Sequence, residues 1–443
     1  QEKKLGLQQL FEVIRNYHPV AKQASINIDK AKAGVVIARG EFDPVLSHYA
    51  ANKTFDGLDY YQYSHQELSI PTWYGIEIKG GLETLNGNKT DPSATIGNTN
   101  YAGISFPILN GLVTDKRRTA LQQSKIIQSL SVIEQRQIIN DLMLDAAEAY
   151  WNWCINYAKM DVVNKGIQNN TNRLSFIKKS WENGERPAID TLEAFSQLLS
   201  FQNKLEQQKY YLLKSALELS AFLWDKNLAP YILPDDIIPE NNLNDNLSDK
   251  DNLSLTSLLN AVENHPELLI LKNKSDFLQA EKKLKFQELL PKLNVEYNFL
   301  GKSYDFTKLS GTMFENNYRY GVKFGMPLRI SKGRGEYRSA KLKIRENDIK
   351  LIQKKQSLTI KIKQQFAQLE TLKKQLQLQS INYNNYNRLL EAEQMRFNNG
   401  ESSLFLINSR ENKALEELEK LIETKGKQSI AQYTLRWSAG LLQ

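Results

Sequence analysis

From Leu112 to Ser180 the chain holds no proline and a single glycine, Gly166, and from Lys341 to Phe397 it holds neither. Apolar residues step by three and four through both tracts. Ile126, Leu130, Ile133, Leu142, Ala146, Ala149 and Trp153 mark the first; Leu358, Ile362, Phe366, Leu369, Leu372 and Leu376 mark the second. That spacing predicts helices. A helix of ~66 residues spans ~100 Å, and no globular domain hides such a rod. It must lie along other rods, at spacings near those of a coiled coil. Shorter return helices over about 188–225 and 402–438 turn each rod into a hairpin.

The hairpins are copies. Leu7, Leu10 and Val13 before Tyr17-His18-Pro19 are answered by Leu255, Leu258 and Ala261 before Asn264-His265-Pro266. Ser105-Phe106-Pro107-Ile108 is answered by Gly325-Met326-Pro327-Leu328, and Trp181-Glu182-Asn183-Gly184-Glu185 by Phe397-Asn398-Asn399-Gly400-Glu401. Leu223-Trp224 and Arg436-Trp437 close the halves. A repeat this long is a duplicated module rather than a solenoid unit. The expected organisation is a first repeat over 1–225, a linker over 226–252 that is acidic and asparagine-rich, and a second repeat over 253–443.

Between the helices the period changes to two. In the first repeat strands are expected within about 45–108, where Val45, Ser47, Tyr49 and Ala51 alternate with His48 and Asn52, and Ala102, Ile104 and Phe106 with Gly103 and Ser105. In the second they are expected within about 293–328, where Val295, Tyr297 and Phe299, then Tyr318, Tyr320, Val322 and Phe324, carry the apolar face. One apolar and one polar face over nine to eleven residues suits a membrane-barrel wall. An additional hairpin at about 66–82 belongs to the first repeat, and Asn86–Asn100 reads as a loop. The helical hairpins then occupy about 112–225, with a tip near 181–190, and about 332–438, with a tip near 397–404. Short helices are expected over 5–16, with Leu7, Leu10, Phe11 and Ile14 on one face, and over 20–40. Each ends at a breaker, His18-Pro19 or Gly40.

Composition excludes several functions. One cysteine, Cys154, rules out an internal disulfide and a thiolate metal cage. Four scattered histidines, two of them in the repeated His-Pro turn, give no metal site. No cofactor motif and no catalytic constellation is present, so the chain is expected not to be an enzyme. Ser331-Lys332-Gly333-Arg334-Gly335 imitates a phosphate loop but sits where a strand meets a helix, and a turn is expected. The net charge of +8 allows anionic partners. No basic cluster is interleaved with aromatic residues, so nucleic acid is not among the expected partners. No apolar run is long enough for a transmembrane helix. A start at Gln1 is what a cleaved secretory leader would leave, and no cysteine stands there to take a lipid anchor.

The duplicated order of strands, long helices and Gly-centred turns resembles the TolC-type outer-membrane efflux proteins. The residues that carry the likeness are His18-Pro19, His265-Pro266, Glu41-Phe42-Asp43-Pro44 and Phe106-Pro107-Ile108-Leu109-Asn110-Gly111. The tips Asn183-Gly184-Glu185 and Asn399-Gly400-Glu401, and Ile189-Asp190-Thr191-Leu192-Glu193-Ala194, complete the set. The resemblance implies a mainly α protein with membrane strands. As a homotrimer it would form a β-barrel in the outer membrane of a Gram-negative bacterium, continued by a periplasmic α-helical barrel. Its implied partners are outer-membrane lipid, a periplasmic adaptor protein and an inner-membrane transporter of a tripartite efflux or type I secretion system. The residues implied at the tip, as gate and adaptor dock, are Asn183, Gly184, Glu185, Asp190, Glu193, Asn399, Gly400, Glu401, Leu404, Phe405 and Leu406. Asp190 stands where relatives place an acid, and Glu193 nearly one helical turn on. After Gly400 this chain has serines and Leu404-Phe405-Leu406 instead of charges, so an apolar contact or constriction is expected there. Two other readings compete: a coiled-coil scaffold without a pore, and a basic helical polyanion binder.

Overall fold

A computed structural model of the chain describes residues 3–87, 95–240, 243, 254–306 and 316–442. The element order is β1 (Lys3–Leu5), α1 (Leu7–Tyr17), α2 (Pro19–Gly40), β2 (Val45–Phe55), β3 (Leu58–Pro71), β4 (Glu77–Asn86), β5 (Gly97–Pro107), α3 (Lys116–Glu182) and α4 (Ala188–Ser220). Then come β6 (Ile237–Pro239), α5 (Leu255–Ala261), a single 3-10 turn (Val262–Asn264), α6 (Pro266–Gln287), β7 (Lys292–Lys302), β8 (Tyr318–Gly325), α7 (Ser331–Asn398) and α8 (Leu404–Ser438). The duplicated elements match closely in length: α2 and α6 have 22 residues each, α3 has 67 and α7 has 68. The chain divides into two compact units, and neither is one of the sequence repeats. One comprises Gln1–Ile26, Ile133–Leu269 and Gln353–Gln443; the other comprises Asn27–Val132 and Ile270–Ile352. No helix among the described residues is long and apolar enough to cross a membrane.

The first unit is helical. Leu10 and Ile14 of α1 are fully buried and join Ala146, Tyr150 and Trp153 of α3 and Ile422 of α8 in one core. Gly166, the lone glycine of α3, has a packing reason: a Cβ there would lie 2.2 Å from the ring of Phe201, itself 1% exposed. Polar residues interrupt this core with their partners supplied. Arg173 of α3 makes a bidentate pair with Glu411 of α8, at 2.8 and 3.0 Å, and both side chains are about nine-tenths buried. Asn170 and Gln197 donate to the same carboxylate. Burial alone would raise the pKa of Glu417. Bonds from Gln379, Lys413, Lys420 and Asn382 outweigh that effect and hold the carboxyl down at about 2.

The repeated His-Pro turns perform one local task twice. The Nδ1 of His18 accepts the Val20 N–H at 3.3 Å, and the Nδ1 of His265 accepts the Glu267 N–H at 3.2 Å. Each ring thus caps the helix that its proline begins, satisfying a donor the helix itself cannot. Both histidines are buried, and burial lowers the pKa of both, although the Ala221 backbone opposes this at His18 and Glu267 at His265.

The second unit holds a six-stranded antiparallel sheet in the order β2-β3-β4-β5-β7-β8. The hairpin expected at about 66–82 is larger than its apolar pattern shows. Its strands β3 and β4 begin at Leu58 and end at Asn86, and they lie inside the sheet between β2 and β5. The missed stretch Leu58–His65 carries tyrosines on both faces, which erases the alternation. Other expectations need correction. Gly97–Asn100 belongs to β5, not to a loop, while 88–94 lies outside the described residues. Ser331–Gly335 is the start of α7 and not a separate turn; Gly333 is half-buried, where a Cβ would lie 2.9 Å from the Leu289 side chain, and Gly335 is exposed. The first rod begins at Lys116, four residues later than expected, where Asp115 caps it by accepting the Arg118 N–H at 2.8 Å. Within the linker, Ile237–Pro239 pairs in parallel with Lys3–Leu5. Residues 241–242 and 244–253 lie outside the described set.

Two predictions follow from this packing. The unfolded chain binds protons at histidine that the buried rings refuse, so stability falls as pH drops through the ordinary histidine range, from about pH 7.5 to 5.5. Replacing His18 and His265 by Asn keeps a cap acceptor and removes the titration; the thermal midpoint of the double variant is expected to change less with pH over that window. Arg173→Met leaves the Glu411 carboxylate buried without its cation, at a cost of about 3–5 kcal/mol. Adding Glu411→Leu is expected to recover most of that loss in thermal melts, and no recovery would place the cost elsewhere.

Candidate functional site

The sheet separates its charges by face. In β2 up to Lys53, residues Val45, Ser47, Tyr49, Ala51 and Lys53 are in register with Ser69, Glu67, His65, Tyr63 and Tyr61 of β3. The ladder carries this face through Lys79 and Glu83 of β4, Ser105 and Tyr101 of β5, Lys292 and Glu296 of β7, and Arg319 and Lys323 of β8. Every Asp, Glu, Lys and Arg of the paired strands up to the irregularity at Lys53/Thr54 lies here. The opposite face carries Leu46, Leu68, Ile78, Ile104, Val295 and Val322, with an aromatic group at Tyr297, Phe299, Tyr318 and Tyr320. Leu46 is 78% exposed and Phe324 65%. Strand residues alternate faces, so confinement of charge to one face is a direct product of period two. The opposite face also carries His48, Asn52, Gln62, Ser64 and Gln66, and Val45, Tyr49 and Ala51, expected on the apolar face, lie on the charged one. The sheet is open: β2 and β8 each have one neighbour among the described strands.

On the charged face the polar side chains join up. The Tyr101 hydroxyl donates to Glu67 at 2.5 Å and meets the His65 ring at 2.8 Å, while the Arg319 guanidinium lies 3.7 Å from Glu83. Sequence reasoning did not single out this network. The signal was available in the odd-numbered charges of β3 and β4, once the register was known.

The two helical tips are built alike. α3 and α7 both end with a glycine in the left-handed region, Gly184 at φ +76° and Gly400 at φ +78°. The Gly184 N–H bonds to the Trp181 carbonyl and the Glu185 N–H to that of Ser180, each at 2.9 Å. The Gly400 and Glu401 N–H groups repeat the pattern on Phe397 and Arg396. This is the terminator in which glycine's missing Cβ matters. A Cβ at either position would meet nothing within 4 Å, so backbone conformation alone demands glycine there. Asn183, Glu185, Asn399 and Glu401 are exposed around these turns. Ser403 caps α8 by accepting the Leu406 N–H.

Other expected tip residues have partners. Asp190 pairs with Arg186 at 3.3 Å, and the Arg186 guanidinium lies 3.9 Å over the ring of Phe397. Glu193 accepts from the Asn408 side chain at 3.3 Å. The Leu404-Phe405-Leu406 segment divides: Leu404 is 1% exposed in a core with Leu174, Ile177, Leu198 and Ile407, whereas Phe405 and Leu406 face outward. Sequence reasoning missed Arg186, which ties the end of α7 to the start of α4. It also missed the exposed pair Ile189 and Leu192, spaced at three on the start of α4. No group of metal-ligating side chains occurs among the described residues.

A family model described as outer membrane efflux protein matches residues 258–441. Solved outer-membrane channels match the chain along nearly all of its length. The open-state MtrE channel of Neisseria gonorrhoeae has a TM-score of 0.69 at 12% identity, covering 98% of this chain and 88% of that one. CmeC of Campylobacter jejuni has a TM-score of 0.66 at 15% identity, covering 98% and 85%. VceC of Vibrio cholerae has a TM-score of 0.66 at 12% identity, covering 98% and 96%. No curated protein matches the sequence. The second half of the chain thus matches the outer membrane efflux protein model, and over nearly its whole length the chain has the fold of these channels.

Proposed function

We propose that three copies of this chain close into one duct through the outer membrane of a Gram-negative bacterium and reach into the periplasm, as the exit of a tripartite efflux or type I secretion system. The observation that carries this reading is the open sheet whose charged residues, up to the irregularity at Lys53/Thr54, share one face. In hydrocarbon a sheet edge has nothing to bond to, so β2 of one copy must meet β8 of the next. Three six-stranded sheets make eighteen strands, and barrels of about that count enclose an aqueous channel. The apolar face turns to lipid and the charged face to water. A scaffold without a pore has no use for that division.

Transport through such a duct needs a lumen and a gate, and no reacting residue. The tips are the gate. Gly184 and Gly400 shape turns on which an adaptor hairpin docks, with Asn183, Glu185, Asn399 and Glu401 around them. Ile189, Leu192, Phe405 and Leu406 supply the apolar contact. Asp190 and Glu193 sit beside these turns, and three copies bring them near one axis. The link from Arg186 to Asp190 and Phe397 holds the tip closed, and adaptor engagement releases it. An inner-membrane transporter delivers the cargo.

Purified protein in planar bilayers is expected to give discrete conductance steps and a trimer mass in detergent; a monomer that conducts nothing would overturn the reading. Removing the tip link by Arg186→Ala deletes an ion pair and a cation–π contact worth together about 1–2 kcal/mol. The ratio of open to closed time is then expected to rise about tenfold. An unchanged ratio would show that the link does not hold the gate.

A further inference from the structure

In the sheet-bearing unit, where β7 and β8 meet the ends of α6, α3 and α7, a cleft of about 910 Å³ opens. Six cations and three acids line it, and the acids are already engaged. Asp115 holds Arg118, accepting from its backbone N–H at 2.8 Å and its Nε at 3.1 Å. Glu288 and Glu336 both take Lys285, each at 2.8 Å. That leaves Lys116, Arg117, Lys292, Arg329 and Lys332 around one cleft, with no acid among the described residues at ion-pair distance from any of them.

Glu288 and Glu336 share one lysine, so one negative charge is left over, and Lys332 and Lys116 act on Glu336 through space. The five cations still outnumber it and repel one another, and their setting adds to the strain. α3 begins at Lys116 and α7 at Ser331, and neither carries an acid in its first turn. Helix starts favour negative charge, so cations there are held against the local field. The helix starts only add to a potential whose carriers are the side chains. The floor of the cleft is apolar, from Leu284, Leu289 and Ile330. Its volume falls in the range of about 300–1,000 Å³ that suits a drug-sized ligand.

The cleft also faces the charged side of the wall. A smaller cleft of about 310 Å³ shares Asn110, Asp115, Arg117 and Lys292 with it, and is lined by Glu77, Ser105 and Asn294. Those three strand residues lie on the charged face by register. The geometry therefore points to an anion-binding station beside the lumen. It would take small amphiphilic organic anions, with an apolar body and two or more sulfonate, phosphate or carboxylate groups, as cargo in transit. The word cargo rests on the duct proposed above; binding does not.

The test uses the full chain in detergent, with pyranine (an aromatic body bearing three sulfonates) as the probe and a neutral hydroxymethyl-pyrene as the control, read by fluorescence anisotropy. The combined variant Arg117→Gln, Lys292→Gln and Lys332→Gln is expected to weaken pyranine at least about tenfold, since each change removes a charge-assisted contact. In planar bilayers under a potassium chloride gradient, the variant's reversal potential is expected to move toward cation selectivity. Equal pyranine affinity in both proteins, or equal binding of the neutral pyrene, would overturn the site. If phosphatidylglycerol vesicles displace pyranine while inorganic phosphate at the same charge does not, the occupant is a lipid headgroup and the cargo assignment falls. Variant-sensitive pyranine binding by a protein that forms no conducting pore would overturn the duct and keep the anion site; conductance with no pyranine binding would do the reverse.

Discussion

A backbone amide in hydrocarbon has no partner but another backbone amide. The sheet of this chain ends at β2 on one side and β8 on the other, each with an unoccupied edge among the described strands. Its apolar face cannot remain in water, because Leu46, Tyr320, Val322 and Phe324 are all more than half exposed. Its other face, with Glu67, Glu83 and Arg319, cannot enter lipid without large desolvation. One environment suits both: a closed wall with lipid outside and water inside. In the trimer proposed above, the chain supplies a third of such a wall, and its edges are the contact between copies.

The helical unit answers a different demand. Long rods slide past one another when only leucines face leucines, since many registers bury similar area. The buried pair Arg173–Glu411, with Asn170 and Gln197 on the same carboxylate, has one register in which all donors and acceptors meet. Glu417, held by Gln379 and Asn382 of α7, repeats the device higher on α8. Gly166 adds a steric key, because only glycine lets the Phe201 ring reach α3. A single buried ion pair is weak evidence for stability, but a fully satisfied polar set does specify alignment.

Periodicity made the rods legible, since a stripe at three and four over sixty residues admits no rival structure. The short strands were legible where one face was apolar, as in β7 and β8. They failed at Leu58–His65, where tyrosine serves either face and the period disappears. Ser331–Gly335 misled because glycine and charge imitate a loop; a helix start tolerates both when its first residues are solvated. At the tips, Gly184 and Gly400 were readable from the Asn-Gly-Glu repeat. The Arg186 contact was not, since it joins residues far apart in the chain through the geometry of a turn. The interior ion pair had a trace in the sequence: Arg173 stands just before Leu174, and Glu411 stands between Ile407 and Leu415, where the apolar stripe predicts no charge.

The two repeats agree where backbone geometry is demanding and diverge where only a pattern is required. The His-Pro caps use the same ring atom on the same relative N–H, and the tip turns use the same pair of bonds around the same left-handed glycine. Few residues satisfy those requirements, so both copies keep them. The wall asks only for alternation and a closed edge. The first copy could therefore gain β3 and β4 between β2 and β5 without disturbing α3 or its tip. An inserted hairpin adds two strands and exchanges one set of ladder bonds for another, leaving the sheet's outer edges unchanged. The number of strands in the sheet and the geometry of the tips are therefore set by separate requirements: ladder pairing for the one, two glycine turns for the other.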